Sequence, residues 1–317
     1  MYKITMGDCM EEMKKLEDES VDLILTDPPY GTIKGRSFKS RGRKAVKRND
    51  WDVVVDIPSM LEEFNRVLKP NGRALIFGNN GYTQKLREES ISHMKYTYPL
   101  YWVKNHFGSP LTAKYSPLSY VEDITVFSKQ FGKNTKQREY MKKVFDYIGE
   151  ERKEISEQTG LSRSVIDSCW YKMKQFRTPT ENTYNKLIEV YNIQEMDEFM
   201  TYEQLQILKE KESPSPVFNL PEGKGHVGNI FEVSKDNFGR GVSLHSTQKP
   251  VELLKQLIEI YSNEGDVVLD AFMGSASTGV ACIQTDRKFI GIELDEEYYN
   301  ISKNRIEEEI QYGRENQ

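Results

Sequence analysis

The chain has 317 residues, 37% hydrophobic and 29% charged, with a formal net charge of −5. Such values describe an ordinary water-soluble chain long enough for two domains. They exclude a membrane-spanning reading, because no apolar run approaches the ~18–20 residues that a bilayer requires. The start, MYKITMGDCMEEMKK, carries no apolar stretch behind a basic region, so it does not read as a secretory signal. Cys9, Cys169 and Cys282 are odd in number and far apart. A disulfide framework and structural zinc are therefore not expected, a reducing cytoplasmic setting is, and no metal site is read.

In chain order, Thr5–Asp8 reads as a strand end and Cys9–Leu16 as a helix. Val21–Thr26 is an apolar, β-branched run stopped by Pro28 and Pro29. A basic segment follows, with Lys34, Arg36, Lys39, Arg41, Arg43, Lys44, Lys47 and Arg48 and no acidic residue among them. Pro58–Leu68 places Met60, Leu61, Phe64, Val67 and Leu68 on one helical face. Arg73–Phe77, Thr97–Val103 and Val121–Phe127 read as strands. From about Lys133 to Ser213 the pattern turns helical, polar and rich in Lys, Glu and Gln, with a second basic cluster from Lys129 to Lys143. Val251–Ile260 then reads as a helix, Val267–Leu269 as a buried strand, Gly279–Gln284 as a helix, Phe289–Ile292 as a strand and Glu296–Ile310 as a helix. An α/β fold interrupted by a helical insert is the simplest account.

Two segments carry chemistry. Asp270-Ala271-Phe272-Met273-Gly274-Ser275 follows a buried strand and leads into a helix, a place where backbone approaches a ligand closely. Val280 and Ala281 stand where a phosphate loop needs Lys and Ser or Thr, which argues against a nucleotide triphosphatase. Ala276 breaks the dinucleotide G-x-G-x-x-G pattern. Glu293, ending the next strand, is placed to accept hydrogen bonds from ribose hydroxyls, with capping of the following helix as the alternative. The second segment is Asp27-Pro28-Pro29-Tyr30. The Asp27 carboxylate and the Pro28 carbonyl form two acceptors for the N–H bonds of a base amine. Pro29 restricts the turn that holds that carbonyl. Tyr30 offers a flat face on which a nucleobase can stack.

With these motifs the chain resembles the amino-methyltransferases of DNA. Asp27–Tyr30 is similar to their catalytic motif, and Asp270–Gly279 to their cofactor loop, with Ala271, Ala276 and Ser277 as departures. His245-Ser246-Thr247-Gln248-Lys249-Pro250 resembles their H-P-T-Q-K-P segment, and Met6-Gly7-Asp8 their N-terminal G-D. The catalytic motif precedes the cofactor loop, the order of the circularly permuted beta group. The resemblance implies a Rossmann-like methyltransferase fold that uses S-adenosyl-L-methionine. It implies cofactor contacts from Asp8, His245, Thr247, Lys249, Asp270, Phe272, Gly274, Ser275 and Glu293. Domain boundaries expected on this basis are 1–128 and 239–317 for the catalytic domain and 129–238 for a helical target-recognition domain.

Inside that insert, Glu154–Ile166 looks like a helix-turn-helix, with Gly160 at the turn, Leu161 in the core and Ser162 capping a second helix over Arg163–Gln175. That helix would present Arg163, Ser164 and Lys172 to double-stranded DNA, whereas the plain alternative is a hairpin used for packing. Lys39, Arg41, Arg43 and Lys44 are read as phosphate contacts. The expected activity is methylation of adenine N6, since Asp27 stands where cytosine-N4 enzymes of the family more often carry Ser. The remaining alternatives are cytosine N4, a non-catalytic DNA-binding regulator, and methylation of RNA or a protein glutamine. A homodimer and a cognate restriction endonuclease are the partners left open.

Overall fold

The structure is a computed structural model that describes residues 1–31, 55–90, 93–105, 114–115, 117–129, 136–173, 176–212, 215–234 and 248–315. The chain divides into two units, Met1–Gln130 with Pro216–Gln317, and Phe131–Ser215.

The first unit is built on a sheet. In chain order its strands are β1 (Tyr2–Met6), β2 (Val21–Thr26), β3 (Leu68–Gly78), β4 (Met94–Val103), β5 (Val121–Lys129), β6 (Ile230–Glu232), β7 (Val267–Asp270) and β8 (Lys288–Glu293). They lie side by side as β1-β8-β7-β2-β3-β5-β4-β6. β1, β8, β7, β2 and β3 run parallel, and β5 runs antiparallel to both its neighbours. β2 is central and buried along its whole length, which is why Leu23-Ile24-Leu25 reads as a continuous apolar run rather than an alternating one, while the buried Asp22 is paired with Lys69 at 2.8 Å.

Alternate residues of β2 feed two cores. Leu23 and Leu25 pack with Leu253, Leu254, Leu257 and Ile258 of α9 (Val251–Tyr261), Ala281 and Cys282 of α10 (Ser277–Gln284), and Ile306 of α11 (Glu296–Glu315). Ile24 packs on the other face with Met13 of α1 (Cys9–Met13), Met60, Leu61 and Phe64 of α2 (Ile57–Val67), and Leu86 of α3 (Asn80–Glu89). The result is helices on both faces of a mostly parallel sheet.

The second unit is helical: α4 (Lys136–Ile148), α5 (Arg152–Thr159), α6 (Arg163–Cys169), α7 (Glu181–Tyr191) and α8 (Tyr202–Glu212). Its own core includes Tyr140, Met141, Val144, Phe145, Ile155, Ile166, Cys169, Tyr184, Leu187 and Leu205.

Several expectations shift. The insert ends as a compact unit at Ser215, not at 238. Residues 216–234 rejoin the sheet unit because β6 extends the sheet beside β4, and the Asn219 amide donates to the Glu259 and Ser262 carbonyls at the end of α9. Helix α6 stops at Cys169 rather than Gln175. Trp170 turns extended there, with its ring 4.4 Å from that of Phe145 and 5.6 Å from that of Tyr171. Ser162 precedes α6 without a side-chain cap, its hydroxyl pairing with that of Ser164 at 3.0 Å. Leu161 is only half-buried at the edge of the helical core. Gly160 does make the turn, in the left-handed region at φ 68°. Among the described residues no helix is long and apolar enough to cross a membrane, and no group of His, Cys, Asp and Glu could hold a metal ion.

Candidate active site

Parallel strands β2, β7 and β8 end together, at the edge of a sheet where ligands bind in α/β folds. Thr26 closes β2 and donates its hydroxyl to Asp270 Oδ1 at 2.7 Å, across 244 positions of sequence. Asp270 Oδ2 accepts from Thr278 at 2.6 Å, and Oδ1 also accepts from the Phe272 N–H at 3.2 Å. Asp270 is 4% exposed, and burial lifts its carboxyl to about 6 although those hydrogen bonds oppose the rise. Its oxygens therefore tie the Asp27 turn to the Gly274 turn.

Asp27 begins the turn after β2. The Tyr30 hydroxyl donates to Asp27 Oδ1, and the Lys249 ammonium donates to Oδ2. Pro28 is buried, and the Tyr30 ring leans on Tyr82 of α3 with centroids 5.1 Å apart. Burial and then the nearby Asp27 charge push the Tyr30 phenol well above its ordinary range, so Tyr30 is a neutral donor. Burial raises the Asp27 carboxyl, Lys249 pulls it back, and the net direction is up.

Lys249, just before α9, also reaches Glu122 Oε1 at 2.8 Å, and Lys104 reaches Glu122 Oε2 at 2.6 Å. Burial alone would lower the Lys249 ammonium and raise the Glu122 carboxyl. The opposite charges win in each case, keeping Lys249 protonated and taking Glu122 down to about 2. Neither Glu122 nor Lys104 was expected from sequence, where each is a charge at a strand end without a visible partner. Tyr82 was missed with α3 itself, whose only buried apolar side chains are Tyr82 and Leu86.

At the second turn, Glu293 Oε2 accepts from the Gly274 N–H at 2.8 Å and Oε1 from the Asp295 N–H at 2.9 Å. Each carboxylate oxygen can accept a second bond. Burial, against those two bonds, lifts Glu293 to about 7. A half-buried acceptor in that state suits a ligand bringing paired hydroxyls, which favour the ionised form. Arg305 of α11 fixes the turn, donating to the Ser275 carbonyl at 2.9 Å and the Ser277 hydroxyl at 3.0 Å. Ser275 is buried and lies 3.4 Å from the Gln248 amide oxygen. Phe272 is half-buried against the α1–α3 core. Asp8, at the end of β1, uses Oδ1 to cap α1 through the Met10 and Glu11 N–H groups at 2.9 and 3.2 Å.

His245 and Thr247, and Lys39, Arg41, Arg43 and Lys44, lie outside the described residues. In the helical unit Arg163 and Ser164 are exposed on α6, and Lys172 is exposed beyond its end. Arg163 pairs with Asp167 at 3.2 Å, and Arg152 reaches the same oxygen at 2.8 Å. The second basic cluster is partly engaged internally. Lys129 binds Glu19 at 2.8 Å, Arg138 binds the Tyr171 carbonyl at 2.7 Å, and Lys143 pairs with Glu198.

Known proteins are similar to this chain in sequence and in fold. The chain matches a family model described as DNA methylase over residues 21–304. It is 28% identical over 314 residues to the DNA adenine methyltransferase YhdJ of Escherichia coli (strain K12), covering 98% of this chain and 85% of that one. It is 26% identical to the Type II methyltransferase M2.DpnII of Streptococcus pneumoniae, covering 96% and 88%. Among solved structures, the M1.HpyAVI–SAM complex is similar in fold at TM-score 0.55 and 19% identity, covering 96% and 99%. The cytosine-N4-specific PvuII DNA methyltransferase is similar at TM-score 0.54 and 17% identity, covering 96% and 87%. The match spans both turns and the sheet between them, and the chain belongs to the N6_N4_Mtase family of DNA methylases.

Proposed function

We propose that the protein transfers a methyl group from S-adenosyl-L-methionine to the N6 amine of adenine, within a specific double-stranded DNA sequence and on a base swung out of the helix. The observation that carries the reading is the Thr26–Asp270 bond, which fixes an acceptor turn beside a ligand turn. The Glu293 carboxylate, the Gly274 turn and Ser275 fit the cofactor's ribose and its neighbouring atoms. When bound, that group supplies a methyl on a sulfonium, reactive enough to need only an oriented nucleophile.

The chain's own residues supply the orientation. An exocyclic amine has its lone pair spread into the ring. Asp27 accepts one N–H and the Pro28 carbonyl the other, which draws the lone pair out of conjugation with the ring. Asp27 keeps this capacity while bound to Tyr30 and Lys249, because a carboxylate offers about four acceptor sites. Acceptors fixed in advance cost little reorganisation when charge develops on nitrogen. The proton leaving the methylated nitrogen has Asp27 as its nearest base. Tyr30, backed by Tyr82, gives the extruded base a stacking surface.

The choice of adenine rests on the carboxylate at position 27 and on the name of the E. coli relative, because the fold is common to a cytosine-N4 enzyme. The helical unit is read as the target-recognition domain, with Arg163, Ser164 and Lys172 facing DNA, and Lys39, Arg41, Arg43 and Lys44 as phosphate contacts. The Type II names among the relatives extend the reading to a cognate restriction endonuclease. The test is to incubate protein, duplex DNA and methyl-labelled cofactor, digest the DNA to nucleosides and identify the labelled one by mass spectrometry. N6-methyldeoxyadenosine is expected. N4-methyldeoxycytidine would overturn the base assignment, and an unlabelled digest the whole reading.

A further inference from the structure

Four side chains from four places in the sheet unit form an alternating line of charge. Lys104 follows β4, Glu122 opens β5, Lys249 precedes α9 and Asp27 follows β2. The contacts run Lys104–Glu122 at 2.6 Å, Glu122–Lys249 at 2.8 Å, and Lys249 to Asp27 Oδ2. Side-chain exposure is 20% for Lys104, 15% for Glu122, 9% for Lys249 and 22% for Asp27. The Lys249 ammonium also sits 4.9 Å above the Phe77 ring. Resemblance alone placed Lys249 beside the cofactor, yet one of its ion pairs is to Asp27 of the acceptor turn and the other to Glu122 of β5.

We propose that Lys249 is a positioning residue for Asp27, with Glu122 and Lys104 as its support, so that this line of charge belongs to the methyl-transfer machinery. The inference rests on the reading of Asp27 as acceptor of the base amine. Two partners fix the Asp27 carboxylate plane: Tyr30 on one oxygen and Lys249 on the other. A freely turning Lys could not aim a carboxylate. This one is held at its far side by Glu122, which Lys104 holds in turn. Among the described residues, the groups that face Asp27 are Lys249, Glu122 from β5, Tyr30 of its own turn, Tyr82 of α3 and Asp270 of β7. Only Lys249 among them favours the ionised carboxylate by charge. Removing it leaves Asp27 and Glu122 close together without the cation they share, a costly arrangement in a partly dry site.

The test is the pH profile of single-turnover methyl transfer at saturating DNA and cofactor, with cofactor affinity read separately by calorimetry. Asp27 accepts an N–H most strongly when ionised, and only then can it take the proton that leaves the methylated nitrogen, so activity falls on the acid side as it protonates. Lys249→Gln should move that acid limb up by about one pH unit or more, while Glu122→Gln should move it down. The double variant should lie between them, and it keeps the test alive where Lys249→Gln alone fails to fold. Cofactor affinity should change little in all three. Limbs that stay at the wild-type position, or a Lys249→Gln defect confined to cofactor affinity, overturn the proposal. Asp27→Asn, measured in parallel, separates the two levels: wild-type turnover there sinks the underlying reading instead.

Discussion

Glu293 shows what a single carboxylate contributes. Held by the Gly274 and Asp295 N–H groups and lifted by burial to about 7, it changes charge near neutrality in the free protein. Hydroxyl donors favour its ionised form. Cofactor affinity should therefore weaken as pH falls through about 7 and level off above it. Glu293→Gln should remove that dependence and raise the dissociation constant at about pH 8 by roughly tenfold to a hundredfold, the worth of charge-assisted hydrogen bonds. Calorimetry across pH checks both, and an unchanged wild-type curve in the variant contradicts the role. Asp27, Tyr30 and Glu293 were legible in the sequence because each closes or follows an apolar strand. Asp270 was legible as a position, but its bond to the Thr26 hydroxyl of the neighbouring strand was not, because spacing does not show which strands lie side by side. Glu122 and Lys104 were not legible, because a charge at a strand end signals nothing until its partner is known.

At the scale of elements, the turn into α10 shows how a local departure is tolerated. Ala276 precedes the helix at φ 58°, in the left-handed region, and is fully buried. A Cβ there costs ~1–2 kcal/mol, offset in part because alanine also restricts the unfolded chain. Ala276→Gly relieves that strain but removes a buried methyl worth about 0.8 kcal/mol, so stability in urea unfolding should stay within about 1 kcal/mol of wild type, and a larger loss would contradict the geometry. The opposite constraint holds at Gly291, where an added Cβ would meet Met273 Sδ and lie 2.7 Å from the Phe289 ring. Strongly patterned elements such as β2 and α9 were legible. α3 was not, because it buries little apolar surface. β6, Ile230–Glu232, is short and joins the sheet only through β4. α6 was read too long because its polar pattern continues past Trp170, where aromatic packing ends the helix.

At the scale of the molecule, chain order and spatial order differ in the way that creates the site. β7 and β8 come last among the strands yet lie between β1 and β2. The ligand turn made by the end of the chain therefore stands beside the acceptor turn made near its start. The order of motifs in the sequence implied this permutation; the side chains that lock the two turns together emerged only from the fold. The central claim is that a carboxylate and a proline carbonyl at the end of β2 orient an amine for methylation beside a separately built cofactor turn. Its most direct test is the single-turnover methyl-transfer rate of Asp27→Ala, with cofactor affinity measured on the same preparation. The account predicts a rate lowered by roughly 10²–10³ or more and an affinity close to wild type. Methyl transfer at the wild-type rate would contradict it.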